Sequence, residues 1–429
     1  MNRCVRSRPV WDRDGSIMNK EEHKKLWKAY AIGLVWLFCL LWPLLGIHED
    51  GTLSFHNAFT VWLYVFGGTA VILILYLLHK RGALAWIGRP VARARDRAGT
   101  LSGAIPAWAW IGAVLVGALV FPQVTNRYAQ DVAINVLVYI CLGLGLNIVI
   151  GLAGMLDLGY IAFYGVGAYT YALLSIHFGL SFWLALPVAA FFSCIAGCII
   201  GYPTLRMRGD YLAIVTLGFG EIVRIILNNW MTLTQGPNGL LGIQPPGLYL
   251  PDFSDGLSFV HVTLRKLPML YYVILALAVL TVIAVHRLNY SRIGRAWEAI
   301  REDETAAELM GVNTFMLKLL AYAMGAIFGG LAGAFFAARM RFVSPESFTF
   351  IESAMVLSMV VLGGMGSIPG IILGTLALIV LPEVFREIEL YRMLAFGAAM
   401  TGMMIFRPKG LIPAKRVGVR SEEKGGAGG

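Results

Sequence analysis

Charged residues are scarce in this chain. Asp, Glu, Lys and Arg together make up 14% of its 429 residues, whereas 58% are hydrophobic. A soluble domain carries about 25% charged residues, so the composition excludes an ordinary soluble fold. At about 20 apolar residues per membrane-spanning helix, plus loops, the length accommodates roughly ten spans. The expected fold class is therefore an all-α, polytopic integral membrane protein.

Short motifs of the common enzyme classes are also missing. The sequence has no Gly-x-x-x-x-Gly-Lys-Ser/Thr loop, no His-Glu-x-x-His pair and no Gly-x-Ser-x-Gly elbow, and its five Cys show no metal spacing. We therefore expect no catalytic residues, no metal and no cofactor bound by this chain. A membrane-embedded enzyme or an ion-coupled secondary transporter would need clustered acids. The candidates are few: Asp131, Asp157, Glu221 and Glu352.

Basic residues are unevenly distributed. Of the 35 Lys and Arg, 27 lie in five stretches: 1–28, 79–104, 202–210, 287–318 and 407–429. The positive-inside rule makes these stretches cytoplasmic and predicts that both termini are cytoplasmic. Since the charge sets topology in this way and no basic face with interleaved aromatics occurs elsewhere, we expect membrane lipid and no nucleic acid as a partner.

The apolar runs predict the organisation of the chain. Residues 1–104 form an N-terminal appendage with a cytoplasmic tail, two extra spans and a basic linker, 105–412 form the working core, and 413–429 form a flexible cytoplasmic tail. The glycines of 363–370 break an uncharged run into two short halves, which form either a re-entrant hairpin or two tight spans. The predicted segments are 29–47, 58–78, 105–122, 132–150, 158–177, 182–201, 211–230, 269–286, 318–338, 353–366, 368–385 and 391–406.

The segment 294–311 is the most informative part of the sequence. It is charged and helix-prone, and it lies between two runs, 267–285 and 319–338, that contain no Asp, Glu, Lys or Arg. A hydrophilic helix held at the membrane surface by two spans is well placed to be moved by a soluble partner. The pattern predicts a membrane subunit that is driven from outside itself.

Glycines concentrate in segments that we expect to line or gate a pathway. Broken helices at membrane depth are tolerated where the backbone is buried in protein or lines a cavity, and they expose polar backbone groups to a substrate. A single Asn in a span also commonly makes an interhelical hydrogen bond. The candidate residues of the path or gate are Asn147, Gly151, Gly154, Glu221, Gly364 and Gly366.

Two further patterns concern packing. Gly325, Gly329 and Gly333 recur every four residues, which lets helix backbones approach closely in lipid. Glu221 and Arg224 lie three residues apart in an apolar helix, where they can pair on one face. The loop 231–268, with its Gly and Pro turns, is either a docking platform or a connector.

Three segments in this order resemble the permeases of branched-chain amino acid ABC importers, and among them the larger, LivM-type subunit. They are Leu146–Gly154 continuing to Tyr169, Arg208–Gly218 followed by Glu221, and the segment 294–311 with Gly363–Gly370 downstream. The resemblance covers roughly 105–412. It implies the ABC importer permease fold with roughly ten to twelve helices, including broken or re-entrant segments.

The resemblance also implies a function and partners. A second homologous permease would pair with this chain in the bacterial inner membrane, two cytoplasmic ATPases would use ATP, and a periplasmic amino-acid-binding protein would deliver leucine, isoleucine or valine. Permeases for urea, amides or other amino acids are close rivals.

Within the segment 294–311, the resemblance implies a coupling helix that docks on an ATPase. Thr305 stands where the family motif has Glu, and Gly311 is expected to end the helix with a left-handed cap. The residues expected to couple to the ATPase are Glu298, Thr305, Ala306, Ala307, Glu308 and Gly311.

Overall fold

The structure, a computed structural model, describes residues 107–205, 207, 209–252, 258–264, 266–384, 397, 401 and 410–412. The N-terminal appendage 1–104, the tail 413–429 and all but residues 397 and 401 of the predicted span 391–406 lie outside the described residues. The chain divides into two units, 1–111 and 112–429, and the features below belong to the second, apart from residues 107–111 of the first helix.

Helices dominate the described part of the chain. In order they are α1 (Ala107–Val124), α2 (Arg127–Asn147), α3 (Ile161–Phe178), α4 (Phe182–Thr204), α5 (Asp210–Asn229), α6 (Met231–Thr234), α7 (Leu267–Asn289), α8 (Arg292–Glu302), α9 (Glu304–Leu309), α10 (Thr314–Met340), α11 (Phe350–Gly363) and α12 (Ile368–Val384). A π-helical turn, Ile148–Leu152, continues α2.

Seven helical segments of the described residues are long and apolar enough to cross a membrane, counting α2 with its π-helical turn and α11 with the residues before it. Such segments satisfy every backbone hydrogen bond internally, which lipid requires. The helical, multi-pass fold is confirmed. The predicted total of ten to twelve helices includes segments outside the described residues.

Helix α10 lies at the centre of the bundle and packs against α3, α4 and α2. Its glycines make these close approaches possible, as their spacing predicts. A Cβ on Gly325 would lie 3.2 Å from the carbonyl oxygen of Gly145, and one on Gly333 would overlap the carbonyl oxygen of Tyr164.

The loop 231–268 contains β structure, which the sequence analysis did not predict. Strands β2 (Gly247–Asp252) and β3 (Ser258–Thr263) form an antiparallel hairpin. Strand β1 (Leu240–Leu241) pairs with β4 (Phe342–Val343) beyond the end of α10. Six-residue strands without a sustained alternation of apolar and polar residues give little sequence signal between Gly and Pro turns.

The bundle has two distinct ends. At the first, which we call the loop end, Tyr171 of α3 donates to the carbonyl oxygen of Gln244 at 2.6 Å and Trp183 of α4 donates to that of Gly247 at 2.9 Å. At the opposite end, called the coupling end, helices α8 and α9 lie between α7 and α10. The folded loop and the charged segment are therefore on opposite sides of the bundle.

Candidate functional site

The charged segment at the coupling end is two helices, and the prediction of a single helix over 294–311 is wrong. The backbone of Asp303 is extended, with φ −156° and ψ 109°, and separates α8 from α9. Its Oδ1 accepts a hydrogen bond from the N–H of Ala306 at 3.0 Å. Asp is a preferred N-cap residue, so it starts a second helix where the first ends. We call α8 and α9 together the coupling unit.

The coupling unit is fixed to the start of α10. Trp297 is fully buried, and its indole N–H donates to the carbonyl oxygen of Leu317 at 2.7 Å. Ile300 is buried beside it, and Lys318 forms an ion pair with Glu304 at 2.6 Å. One face of the coupling unit is thus apolar and anchored to α10. This anchoring favours movement of the coupling unit together with α10.

The opposite face of the coupling unit is exposed. Most of the residues expected to couple to an ATPase lie there: Glu298, Thr305, Ala306, Glu308 and Gly311. Ala307 is different, since it is 4% exposed and packs inside the chain. Its small side chain lets α9 lie close to the rest of the bundle. Ala307 itself is therefore out of reach of a partner protein.

Leu309 and Met310 form the tip of the coupling unit and are its most prominent apolar residues. They are 85% and 84% exposed. They are not among the residues predicted to couple to an ATPase, although two consecutive apolar residues just before a helix-ending glycine were a usable signal. Gly311 takes the left-handed conformation (φ 83°), as predicted. The N–H of Val312 donates to the carbonyl oxygen of Ala307 at 3.1 Å. This Schellman-type end holds the tip in place.

Five of the six candidate residues of the path or gate come together near the coupling end. Asn147, Gly151 and Gly154 lie at and after the end of α2, and Gly364 and Gly366 lie in the break between α11 and α12. The Oδ1 atom of Asn147 accepts a hydrogen bond from the N–H of Gly366 at 2.8 Å. Asn147 therefore makes the interhelical bond that the sequence analysis considered. We call these five residues the glycine junction.

Glycine is required at several points of this junction. A Cβ on Gly151 would overlap Asn147 Oδ1 and lie 2.6 Å from the nitrogen of Gly366. Gly154, Gly364 and Gly366 have φ of 75°, 116° and 88°, where side chains other than glycine are strained. The backbone after α2 and the backbone between α11 and α12 therefore meet at Gly151 and Gly366 with no side chain of either glycine between them.

The break between α11 and α12 is also held by the chain after the last predicted span. The N–H groups of Leu411 and Ile412 donate to the carbonyl oxygens of Leu362 and Gly363 at 2.9 and 3.1 Å. Helix α11 is 14 residues long and α12 is 17, so each half is as short as the sequence predicts.

Arg301 of α8 connects the coupling unit with the glycine junction, and the sequence analysis did not identify it. Its guanidinium donates to the carbonyl oxygen of Gly151. Its backbone also lies close to Gly154, where an added Cβ would be 3.3 Å from the Arg301 Cα. Several other Arg lie in the same basic stretch, 287–318, so no local pattern distinguished this one.

Glu221, the sixth candidate residue, belongs to a different feature. It pairs with Arg224 on α5, as predicted, through two hydrogen bonds to Glu221 Oε1, one of them 2.8 Å long. About 30% of the Arg224 side chain and 39% of that of Glu221 are exposed. Only 17% of the residues in the apolar part of α5 are buried within the described chain, and both members of the ion pair are half-buried.

The four candidate acids are distributed over separate partners. Asp131 pairs with the nearly buried Arg339 at 2.6 Å, and Glu352 accepts from Tyr139 at 2.6 Å. Asp157 Oδ1 accepts from the N–H of Gly159 at 2.9 Å. This arrangement favours structural roles for these acids over a shared catalytic site.

Asp157, in the connection between α2 and α3, predicts a pH effect on stability. Burial raises the pKa of its carboxyl group to about 6, and the hydrogen bond from Gly159 opposes part of that rise. Since the ordinary Asp pKa is about 3.9, the folded protein loses stability as the pH rises from about 4 to about 6. The loss is at most about 3 kcal/mol, because one pKa unit corresponds to 1.36 kcal/mol.

Asp157→Asn cannot ionise and keeps an oxygen acceptor for Gly159. We expect its thermal midpoint in detergent at pH 7.5 to lie above that of the wild type, with a flatter dependence between pH 4 and 6. Asp131→Asn is the control with the opposite sign, because it weakens the ion pair with Arg339. A lower midpoint for Asp157→Asn at pH 7.5 would contradict the effect of burial.

Comparison with known proteins agrees with this architecture. The family model "Branched-chain amino acid transport system / permease component" matches residues 128–407. The high-affinity branched-chain amino acid transport system permease protein LivM of Escherichia coli (strain K12) is 44% identical over 370 residues, covering 83% of this chain and 86% of the relative. The LivH permease of the corresponding Salmonella typhimurium system is 26% identical over 250 residues, covering 56% and 79%. No solved structure matches.

Proposed function

Since the chain belongs to the family of permease components of branched-chain amino acid transport systems, we propose that it is one permease subunit of an ATP-driven importer of leucine, isoleucine and valine. It sits in the bacterial inner membrane with both termini cytoplasmic. The observation that carries the proposal is the coupling unit, which is anchored on one face and exposes Leu309 and Met310 on the other.

The exposed face of the coupling unit fits a groove on a cytoplasmic ATPase. Two exposed apolar side chains, Leu309 and Met310, provide a hydrophobic centre, and Glu298 and Glu308 provide a polar rim. Binding energy at protein interfaces is concentrated in such a centre. Two ATPase subunits, one on each permease, would use the ATP, and this chain would bind no cofactor itself.

Helix α5 supports a second, homologous permease as the membrane partner. A charged pair such as Glu221 and Arg224 is costly against lipid and usually faces protein or water. Few residues of α5 are buried in the described chain, so a partner permease or a water-filled path between the two chains would complete its surroundings. The likeness of this chain to both LivM and LivH relatives fits such a pair.

The cargo and its delivery follow from the same architecture. The folded loop at the opposite end, with its β-hairpin, would receive a periplasmic amino-acid-binding protein. The amino acid would then pass between the two permeases past α5, and movement of the coupling unit would switch access from the periplasm to the cytoplasm.

Reconstitution tests this function. The chain is co-expressed with candidate permease, ATPase and binding-protein subunits from the same genome, purified as a complex and placed in vesicles. We expect uptake of labelled leucine, isoleucine and valine that requires both ATP and the binding protein. Uptake driven by an ion gradient without the ATPases would overturn the proposal in favour of a secondary transporter. Uptake of urea or amides in place of these amino acids would overturn the assignment of the cargo.

A further inference from the structure

Three contacts form a continuous link from the coupling unit to the break between α11 and α12. The first is the hydrogen bond from the Arg301 guanidinium to the carbonyl oxygen of Gly151. The second is the direct packing of Gly151 against the Asn147 amide and the backbone of Gly366. The third is the hydrogen bond from the Gly366 N–H to Asn147 Oδ1 at 2.8 Å.

The middle of this link is built to transmit displacement. Gly151 has no side chain that could turn aside, so a shift of its carbonyl is passed to the atoms on its other side. It also lies in the π-helical turn Ile148–Leu152, and π-bulges within helices occur frequently at functional sites. Packed backbones change between discrete arrangements more easily than they deform continuously.

The far end of the link has a reason to exist in two arrangements. Among the described residues, the buried Nδ2 atom of Asn147 has no hydrogen-bond partner, and leaving a buried donor unpaired costs free energy. An arrangement that gives this N–H group a carbonyl acceptor would recover part of that energy. The unpaired donor therefore favours a second arrangement of Asn147 beside the present bond to Gly366.

We propose that Arg301 is a positioning residue that transmits movement of the coupling unit, through Gly151 and Asn147, to the glycine break at Gly364–Gly366. The inference rests on the proposed function and deepens it, since it names the route by which ATPase movement reaches the membrane segments. Arg301 acts through Gly151 and does not contact the cargo.

The test measures the number of amino acids imported per ATP hydrolysed in vesicles that contain the whole complex. Arg301→Gln removes the charge-assisted bond to Gly151 at an exposed position, so the protein is expected to fold. We expect the Arg301→Gln complex to keep its ATPase subunits and to hydrolyse ATP at near wild-type rates. The number of amino acids imported per ATP is expected to fall about tenfold, within the 5- to 150-fold range of allosteric coupling. Arg301→Lys keeps a charged donor and is expected to restore part of the ratio.

Arg295→Gln is the matched control. Arg295 lies on the same helix, is exposed, and donates to the carbonyl oxygen of Tyr290 at 3.4 Å, within the same segment of chain. Its loss is expected to leave the ratio unchanged. An equal fall of the ratio in both variants would overturn the specific role of Arg301.

A double variant tests whether Arg301 and Asn147 act in the same chain of contacts. Asn147→Ser shortens the side chain that reaches Gly366. If Arg301 and Asn147 act in one chain, the double variant imports no fewer amino acids per ATP than the worse single variant, because contacts of one network are not additive. A loss in the double variant that equals the product of the two single losses would overturn the link. Loss of ATPase binding in Arg301→Gln would also overturn it, by assigning the residue to docking.

These outcomes are separate from failure of the proposed function itself. If the wild-type complex does not import amino acids with ATP, the proposed function fails before any variant is compared. If wild-type import is ATP-driven and Arg301→Gln keeps the normal ratio, the function stands and the link fails.

Discussion

Gly333→Ala is expected to destabilise the membrane core strongly. The new Cβ would overlap the carbonyl oxygen of Tyr164 and lie 2.9 Å from the backbone nitrogen of Ala168. Both neighbours are backbone atoms of α3, so no side-chain rotation relieves the overlap and α10 must separate from α3. Overpacking of a close-packed interior typically costs about 1–3 kcal/mol or more, and here it acts on the central helix. The measurement is the yield and thermal midpoint of protein extracted in mild detergent.

Gly117→Ala is the matched control for this variant. Gly117 also lies within a helix, α1, but a Cβ there meets no atom of the described residues within 4 Å. Alanine in an open helical position is expected to stabilise by about 0.5–1 kcal/mol relative to glycine. The same glycine-to-alanine change should therefore raise the thermal midpoint at position 117 and lower it at position 333. Equal thermal midpoints for the two variants would contradict the close approach of α10 and α3.

Charged substitutions at the tip of the coupling unit should release the ATPase. Leu309→Glu and Met310→Glu place a carboxylate at the centre of the proposed docking surface, where both side chains are more than four-fifths exposed in the isolated chain. Loss of an interface hot spot costs about 2 kcal/mol or more, or roughly 30-fold in affinity. We expect little ATPase to co-purify with either variant, and ATP-driven uptake to fall in proportion.

Conservative exchange distinguishes docking from folding at this tip. Leu309→Met and Met310→Leu keep the apolar surface and should retain ATPase binding. All four variants should keep the wild-type thermal midpoint when the permease is measured without ATPase, because both side chains are more than four-fifths exposed. ATPase retained by both Glu variants would argue for docking elsewhere on the coupling unit.

The arrangement of spans was predictable from the sequence because hydropathy is a local property. Apolar runs such as 182–201 predicted helices whose observed bounds, here Phe182–Thr204, differ by a few residues. Close packing at Gly333 and the pairing of Glu221 with Arg224 followed from spacing along a helix, which is also local.

The coupling unit shows where local pattern was insufficient. The charges of 294–311 predicted a helix, yet Asp303 both ends α8 and caps α9. Ala307 and Ala306 are adjacent and chemically identical, but the first is buried and the second is exposed. The position of Trp297 against α10 decides which face turns inward, and that contact joins residues 20 positions apart.

By itself, the sequence determined that this protein is a multi-pass helical membrane protein, where most of its described spans lie, and which segment is the charged one between two spans. These properties depend on the composition and period of short stretches. Only the tertiary structure decided that Arg301 meets Gly151, 150 residues away, and that Asn147 holds Gly366, 219 residues away. Such contacts depend on how whole helices pack, because a residue's neighbours across a bundle are set by the crossing of helices and leave no periodic mark in either segment.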